Sequence, residues 1–160
     1  MTREFELFIR GRTMATAKAM STNEAEVVKK VWLGRLTKLV DEIKSSAEAS
    51  GWRTRRIDKT VTEQELGTYK VPVLLMEKDT VEVVLNPVAR FVPGAEGAVD
   101  MYLAPAYDDI ASLYFEGGQW VLHYAEHPNP MATRSVVEIK QQPYSSEAII
   151  TVLEGMAANG

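Results

Sequence analysis

The chain has 160 residues, of which 46% are hydrophobic and 25% are charged, as expected for one globular domain that buries a core. Cysteine is absent, which excludes disulfides, thiolate metal sites and a cysteine nucleophile. No apolar run approaches the roughly 20 residues that a membrane helix needs, and no secretion signal is visible, so we expect a cytoplasmic protein without membrane contact.

The net charge of −4 is distributed unevenly along the chain. Residues 1–60 carry 13 Lys and Arg against 8 Asp and Glu, whereas residues 61–160 carry 5 against 14. The basic part is suited to an acidic protein partner, to a second copy of the chain, or to the chain's own acidic part. Nucleic acid is the less favoured partner, because domains that bind it are usually basic overall.

Residues 1–21 are predicted to form an N-terminal arm, or a short helix followed by a linker. The spacing of Phe5 and Phe8 fits a helix, although the stretch Phe5–Ile9 also alternates as a strand would. If this segment does not dock on the core, its apolar side chains offer a contact for a partner.

A long amphipathic helix is predicted from Thr22 to Glu48. Ser21 is suited to cap its first turn, because Glu24 follows three residues later in a capping-box pattern. Apolar residues recur at helical spacing and would form the buried stripe: Val28, Val31, Trp32, Leu36, Leu39, Val40, Ile43 and Ala47.

From residue 52 the sequence changes to short runs rich in β-branched and aromatic residues. The predicted strands are Arg53–Val61, Lys70–Met76, Val81–Leu85, Ala89–Val92, Val99–Leu103, Ile110–Phe115, Trp120–Tyr124 and Ser135–Lys140. Links this short require antiparallel neighbours, so the strands form a meander. A second helix is predicted near Ser145–Ala157. The fold class is α+β: a single domain over residues 22–160 with a long helix, an antiparallel sheet of about six to eight strands, and a C-terminal helix.

One motif raises the alternative of catalysis. Glu138 and Lys140 form a Glu-x-Lys pair on a predicted strand, and magnesium-dependent nucleases combine such a pair with an aspartate from another strand. Asp100 would share the Mg²⁺ ion with Glu138, and Asp109 would assist, because carboxylates are the ligands that magnesium prefers. The same Glu-x-Lys alternation is also typical of a solvated strand face, and that is the interpretation we favour.

Two clusters are candidates for partner binding. Arg53, Arg55 and Arg56 follow the long helix, and arginine pairs well with carboxylates and phosphates. Tyr107, Asp108 and Asp109 form an aromatic and acidic turn that would suit a basic partner.

We therefore expect a non-catalytic protein–protein interaction module, such as an adaptor, an inhibitor or an accessory subunit, that binds a protein partner or forms a homodimer without a cofactor. The alternative is a Mg²⁺-dependent nuclease or phosphodiesterase, whose nucleic acid the three arginines would hold. A distant third is a small-ligand pocket between the sheet and the helices, because six aromatic residues lie within residues 102–124.

Overall fold

A computed structural model describes residues 20–126 and 138–160 of the chain. The predicted arm, including Phe5 and Phe8, therefore lies outside the described residues. The secondary-structure elements are α1 (Thr22–Ala49), β1 (Arg53–Glu63), β2 (Gly67–Lys78), β3 (Val81–Ala89), β4 (Ala98–Leu103), β5 (Asp108–Glu116), β6 (Gln119–Glu126), β7 (Glu138–Pro143) and α2 (Ser146–Asn159).

Helix α1 begins where the capping box predicts. The Ser21 hydroxyl accepts from the Glu24 amide at 3.1 Å, and the Glu24 carboxylate accepts from the Ser21 amide at 2.9 Å. Most of the predicted apolar stripe is buried, including Trp32, Leu36 and Ile43. Val31 is an exception, since it is 47% exposed on the outer side of the helix.

The described strands form one antiparallel sheet in the order β1-β2-β3-β4-β5-β6-β7. This arrangement confirms the predicted meander and the α+β fold class. The separate strand predicted at Ala89–Val92 is wrong: Ala89 ends β3, and only Val92 forms an isolated bridge. Glu63 explains the break, because its carboxylate accepts from the amides of Arg90 and Phe91, each at 3.0 Å.

Both helices pack on the same face of the sheet. Alternate residues of the central strands point toward them and form one buried core, in which Trp32 lies 6.2 Å from Trp120 between ring centroids. The fully buried large side chains are Trp32, Leu36, Leu39, Ile43, Leu74, Met76, Leu85, Met101, Leu113, Leu122, Ile149 and Leu153. The helices therefore cover one face of the sheet, and the opposite face is called the helix-free face below.

Within residues 20–126 and 138–160, neither helix is long and apolar enough to cross a membrane.

Candidate interaction surface

Four side chains cross the helix-free face in a straight line from β1 to β4. Arg55 lies opposite Leu75, Leu75 opposite Val84, and Val84 opposite Tyr102 in the strand register. We call these four residues the cross-strand row. Leu75, Val84 and Tyr102 alternate with residues of the helix-side core, so these three side chains point away from the helices. Arg55 points the same way because it is paired with Leu75. Neighbouring strands lie about 4.8 Å apart, which makes the row roughly 14 Å long.

Tyr107 extends the row beyond β4. Its ring centroid lies 4.4 Å from that of Tyr102, and its side chain is 46% exposed. The backbone of Tyr107 is in the left-handed region, with φ of 56°, which is uncommon for a bulky residue and marks a constrained turn. The turn thus holds an exposed aromatic ring at the end of the row opposite Arg55.

The Tyr107 hydroxyl is anchored by Asp100. It donates to one carboxylate oxygen of Asp100, while the Ser112 hydroxyl donates to the other oxygen at 2.8 Å. The hydrogen bond to Asp100, together with partial burial, raises the pKa of Tyr107 to about 12. Tyr107 is therefore neutral at physiological pH, and its position is fixed by a charge-assisted hydrogen bond.

Polar residues border most of the cross-strand row, whereas on one side Arg55 and Leu75 are followed on the same face by the apolar pair Ile57 and Val73. On one side Arg53 lies opposite Glu77, and Glu77 lies opposite Glu82. On the other side the register continues from Asn86 to Asp100, Ser112, His123 and Gln141. An apolar and aromatic centre with a polar rim is the usual composition of a protein–protein interface.

His123 and Lys59 complete the second border. His123 stacks edge-on against Tyr114 at 4.9 Å, and its Nε2 atom is buried without a hydrogen-bond partner among the described residues. The Lys59 ammonium donates to the Asn86 amide oxygen at 2.6 Å and to the Pro87 carbonyl at 2.9 Å. Burial lowers the pKa of Lys59, and the charge of Asp100 acts in the opposite direction. The Lys59 charge is thus satisfied within the chain.

The three predicted arginines have different environments. Arg53 forms an ion pair with Glu77 at 2.7 Å, so part of the basic charge meets the chain's own acidic part. Arg55 and Arg56 are both exposed, and neither forms a hydrogen bond or ion pair with any other described residue. As alternation requires, Arg55 shares the helix-free face with Arg53, whereas Arg56 points to the other side.

Asp109 at the β4–β5 turn does not share the position of Tyr107. Asp109 accepts from the Tyr124 hydroxyl at 3.2 Å and from the Asn159 amide at 3.0 Å. It therefore connects the sheet to the end of α2 on the helix-covered face. For Asp108 the structure describes only the backbone, which pairs with Leu103. Of this predicted cluster, Tyr107 alone is placed on the helix-free face by its contacts.

The residues of the alternative magnesium site are not brought together. Strands β5 and β6 separate Asp100 on β4 from Glu138 on β7, a distance of about 14 Å between strand axes. Along β7, Gln141 rather than Glu138 aligns with the row of Asp100. Lys140 lies opposite Tyr124, whose ring packs against the helix-side core, so Lys140 and Asp100 are on opposite faces. The strand order thus sets the backbones of Asp100 and Glu138 three strand positions apart.

Within the described part of the chain, no group of three or more His, Asp or Glu residues is arranged to hold a metal ion. The six aromatic residues that suggested a ligand pocket divide between the two faces. Tyr102, Tyr107 and Tyr114 are on the helix-free face, whereas Phe115, Trp120 and Tyr124 pack toward the helices. The layer between the sheet and the helices is filled by the core side chains.

Sequence reasoning missed Leu75 and Val84 as surface-forming residues. A signal was available, because residues 71–76 read Val-Pro-Val-Leu-Leu-Met and residues 83–85 read Val-Val-Leu, with no polar alternation. A strand that is apolar on both faces is usually covered on both faces. Here the two described helices cover only one face, and apolar side chains lie in the centre of the other.

Comparisons with protein-family models, with curated proteins and with solved structures find no match to this chain. The inference of function therefore depends on the chemistry of the helix-free face.

Proposed function

We propose that the protein is a non-catalytic protein–protein interaction module that binds its partner through the helix-free face of the sheet. The observation that carries this proposal is the cross-strand row, in which apolar side chains connect Arg55 to the aromatic pair Tyr102 and Tyr107. Arginine and tyrosine are the residue types that most often dominate binding energy at interfaces, and apolar contacts between them exclude water.

The partner surface that fits this face is itself apolar in the centre. Val84 is already 92% covered by its neighbours, so the accessible contact area comes from the row's ends and from Leu75, which is half-buried. Near Arg55 a partner would place a carboxylate or a backbone carbonyl, because the guanidinium of Arg55 has no partner within the described residues. Tyr107 would be covered by an apolar or planar side chain.

Photo-crosslinking from the surface tests this proposal in the cells that express the protein. A benzophenone amino acid replaces Tyr107 in one variant and Val31 in another, since the two side chains are almost equally exposed, at 46% and 47%. We expect a discrete protein adduct from position 107 and none from position 31, which lies on the outer side of α1.

The mass of the adduct identifies the class of partner. An adduct with twice the mass of the chain indicates a homodimer through this face, and a foreign protein indicates a heterologous partner. Adducts that are removed by nuclease would contradict the proposal, as would equal labelling from positions 107 and 31 or no adduct from position 107.

A further inference from the structure

Strand β1 is an open edge of the sheet among the described strands. All 11 of its residues pair with β2 in one uninterrupted register, and β1 is the first strand in the sheet order. None of its residues is buried, and Ile57 in its centre is 38% exposed. The backbone groups on the outer side of an edge strand have no ladder partner and are a template for an added strand.

The other edge is a poorer template. Within the described residues strand β7 spans Glu138–Pro143, and it ends in a proline, which has no amide hydrogen to donate. Prolines are one of the devices with which proteins prevent strand addition at an edge, and charged side chains are another. β1 contains no proline in its 11 residues, and its charged side chains restrict which strand can be added.

The charges of β1 select what would add to it. Arg55 and Arg56 are adjacent, so their side chains point to opposite faces, and neither charge is neutralised by a described residue. A second copy of β1 would bring this basic strand against itself, and like charges on paired strands are destabilising. An extended acidic segment would instead be attracted on both faces at once.

We infer that β1 binds an extended acidic segment of a protein partner by antiparallel strand addition, with consecutive acidic residues opposite Arg55 and Arg56. This inference rests on the proposed function and specifies the partner's binding segment. Asp58 and Ile57 define the rest of the pattern, since a basic residue fits opposite Asp58 and an apolar residue fits opposite Ile57. Read from its N-terminus, the partner segment is therefore basic, apolar, acidic, acidic.

A synthetic peptide provides the probe. The acidic peptide Thr-Val-Lys-Val-Glu-Glu-Val-Thr follows the inferred pattern. The second peptide, Thr-Val-Glu-Val-Lys-Lys-Val-Thr, has Lys and Glu exchanged, and it is called the reversed peptide because its charges are reversed. Binding to the full chain is followed by NMR, through the shifts and the hydrogen exchange of the β1 amides. We expect the acidic peptide to shift the amides of β1 and to slow their exchange, whereas the reversed peptide does not.

Charge exchange on the protein gives the sharpest comparison. The double variant Arg55→Glu with Arg56→Glu should weaken binding of the acidic peptide at least tenfold and should gain binding of the reversed peptide. Lys38→Glu is the matched control, because Lys38 is an exposed cation on α1 without a described ion pair. It should bind the acidic peptide as the wild type does, and circular dichroism checks that all variants remain folded.

Three results would overturn the inference. The first is that the acidic peptide shifts only amides of other strands, and the second is that the double variant binds the acidic peptide as tightly as the wild type does. The third is that Arg55 and Arg56 bind oligothymidylate more tightly than they bind the acidic peptide. Protection of the β1 amides that rises with protein concentration in the absence of peptide would show that a second copy occupies the edge. If the peptide fails while crosslinking from position 107 still gives a partner, the inference about β1 is overturned and the proposed function is retained.

Discussion

The two faces of the sheet differ in what covers them, although the same strands build both. On the helix-covered face, Leu74 and Met76 are fully buried against α1 and α2. On the helix-free face, Leu75 lies between them in sequence, is only half-buried, and has Arg55 and Val84 as its cross-strand neighbours. The first face stabilises the fold, and the second leaves apolar area exposed, where we propose that a partner binds.

Truncation of the buried Trp32 should show the largest difference in stability between substitutions on the two faces. Trp32 is 0% exposed and contacts Trp120 in the core, so Trp32→Ala should lower the free energy of unfolding by about 3–5 kcal/mol. Tyr102→Ala on the helix-free face should cost roughly 1 kcal/mol, because that ring is partly exposed. Urea denaturation of both variants measures the difference, and equal losses would contradict the assignment of the two faces.

Adjacent leucines offer a matched pair within one strand. Leu74→Ala should destabilise the protein by about 2–5 kcal/mol, since Leu74 is 0% exposed and faces the helices. Leu75→Ala should cost roughly 1 kcal/mol, because Leu75 is only partly buried and faces away from the helices. Thermal unfolding of the two variants compares the two losses of stability. A larger loss of stability for Leu75→Ala than for Leu74→Ala would mean that the strand faces are reversed.

The hydrogen bond of Tyr107 predicts a pH dependence on the helix-free face. Its pKa is raised to about 12, mainly because its hydroxyl donates to Asp100, whereas an unfolded tyrosine ionises near pH 10. The contribution of Tyr107 to stability is therefore present below about pH 10 and is lost as the pH rises through about 12. Ultraviolet titration curves are recorded for the wild type and for Tyr107→Phe. The difference between the two curves should show one phenol that ionises near pH 12. A difference midpoint near pH 10 would exclude the bond to Asp100.

The smallest effect is expected from the exposed ion pair at the border of the face. The Arg53 Nη2 and Glu77 Oε1 atoms are 2.7 Å apart, but the two side chains are 69% and 50% exposed. Solvent screens such a pair, so Arg53→Ala should change the free energy of unfolding by less than about 1 kcal/mol. A loss above about 2 kcal/mol, measured by urea denaturation, would show that the helix-free face is a second structural core.

Much of the fold could be predicted from the sequence, because it depends on local periodicity. The capping box of Ser21 and Glu24, the stripe of α1 and the turn-separated strands each have a physical signature within a short window. The strand predicted at Ala89–Val92 failed for a non-local reason. Glu63, 27 residues earlier than Arg90, takes the amide hydrogens that a strand would have used.

The candidate site was predictable only in part. Alternation places Arg53 and Arg55 on one face, but the sequence does not show which face the helices cover, so Leu75 and Val84 were not recognised. The relation between Asp100 and Glu138 depends on the order of strands, which sets two strands between them. Spacing along the chain contains no such information.

The binding role of the helix-free face is tested most directly by crosslinking from position 107 in two variants, one substituted at Leu75 and the other at Leu74. Leu75→Asp places a charge in the cross-strand row without touching the core, and Leu74→Ala weakens the core without touching the row. We predict that Leu75→Asp abolishes the partner adduct while the protein stays folded, and that Leu74→Ala retains the adduct at temperatures below its unfolding transition. An undiminished adduct in folded Leu75→Asp would show that the helix-free face is not the binding surface.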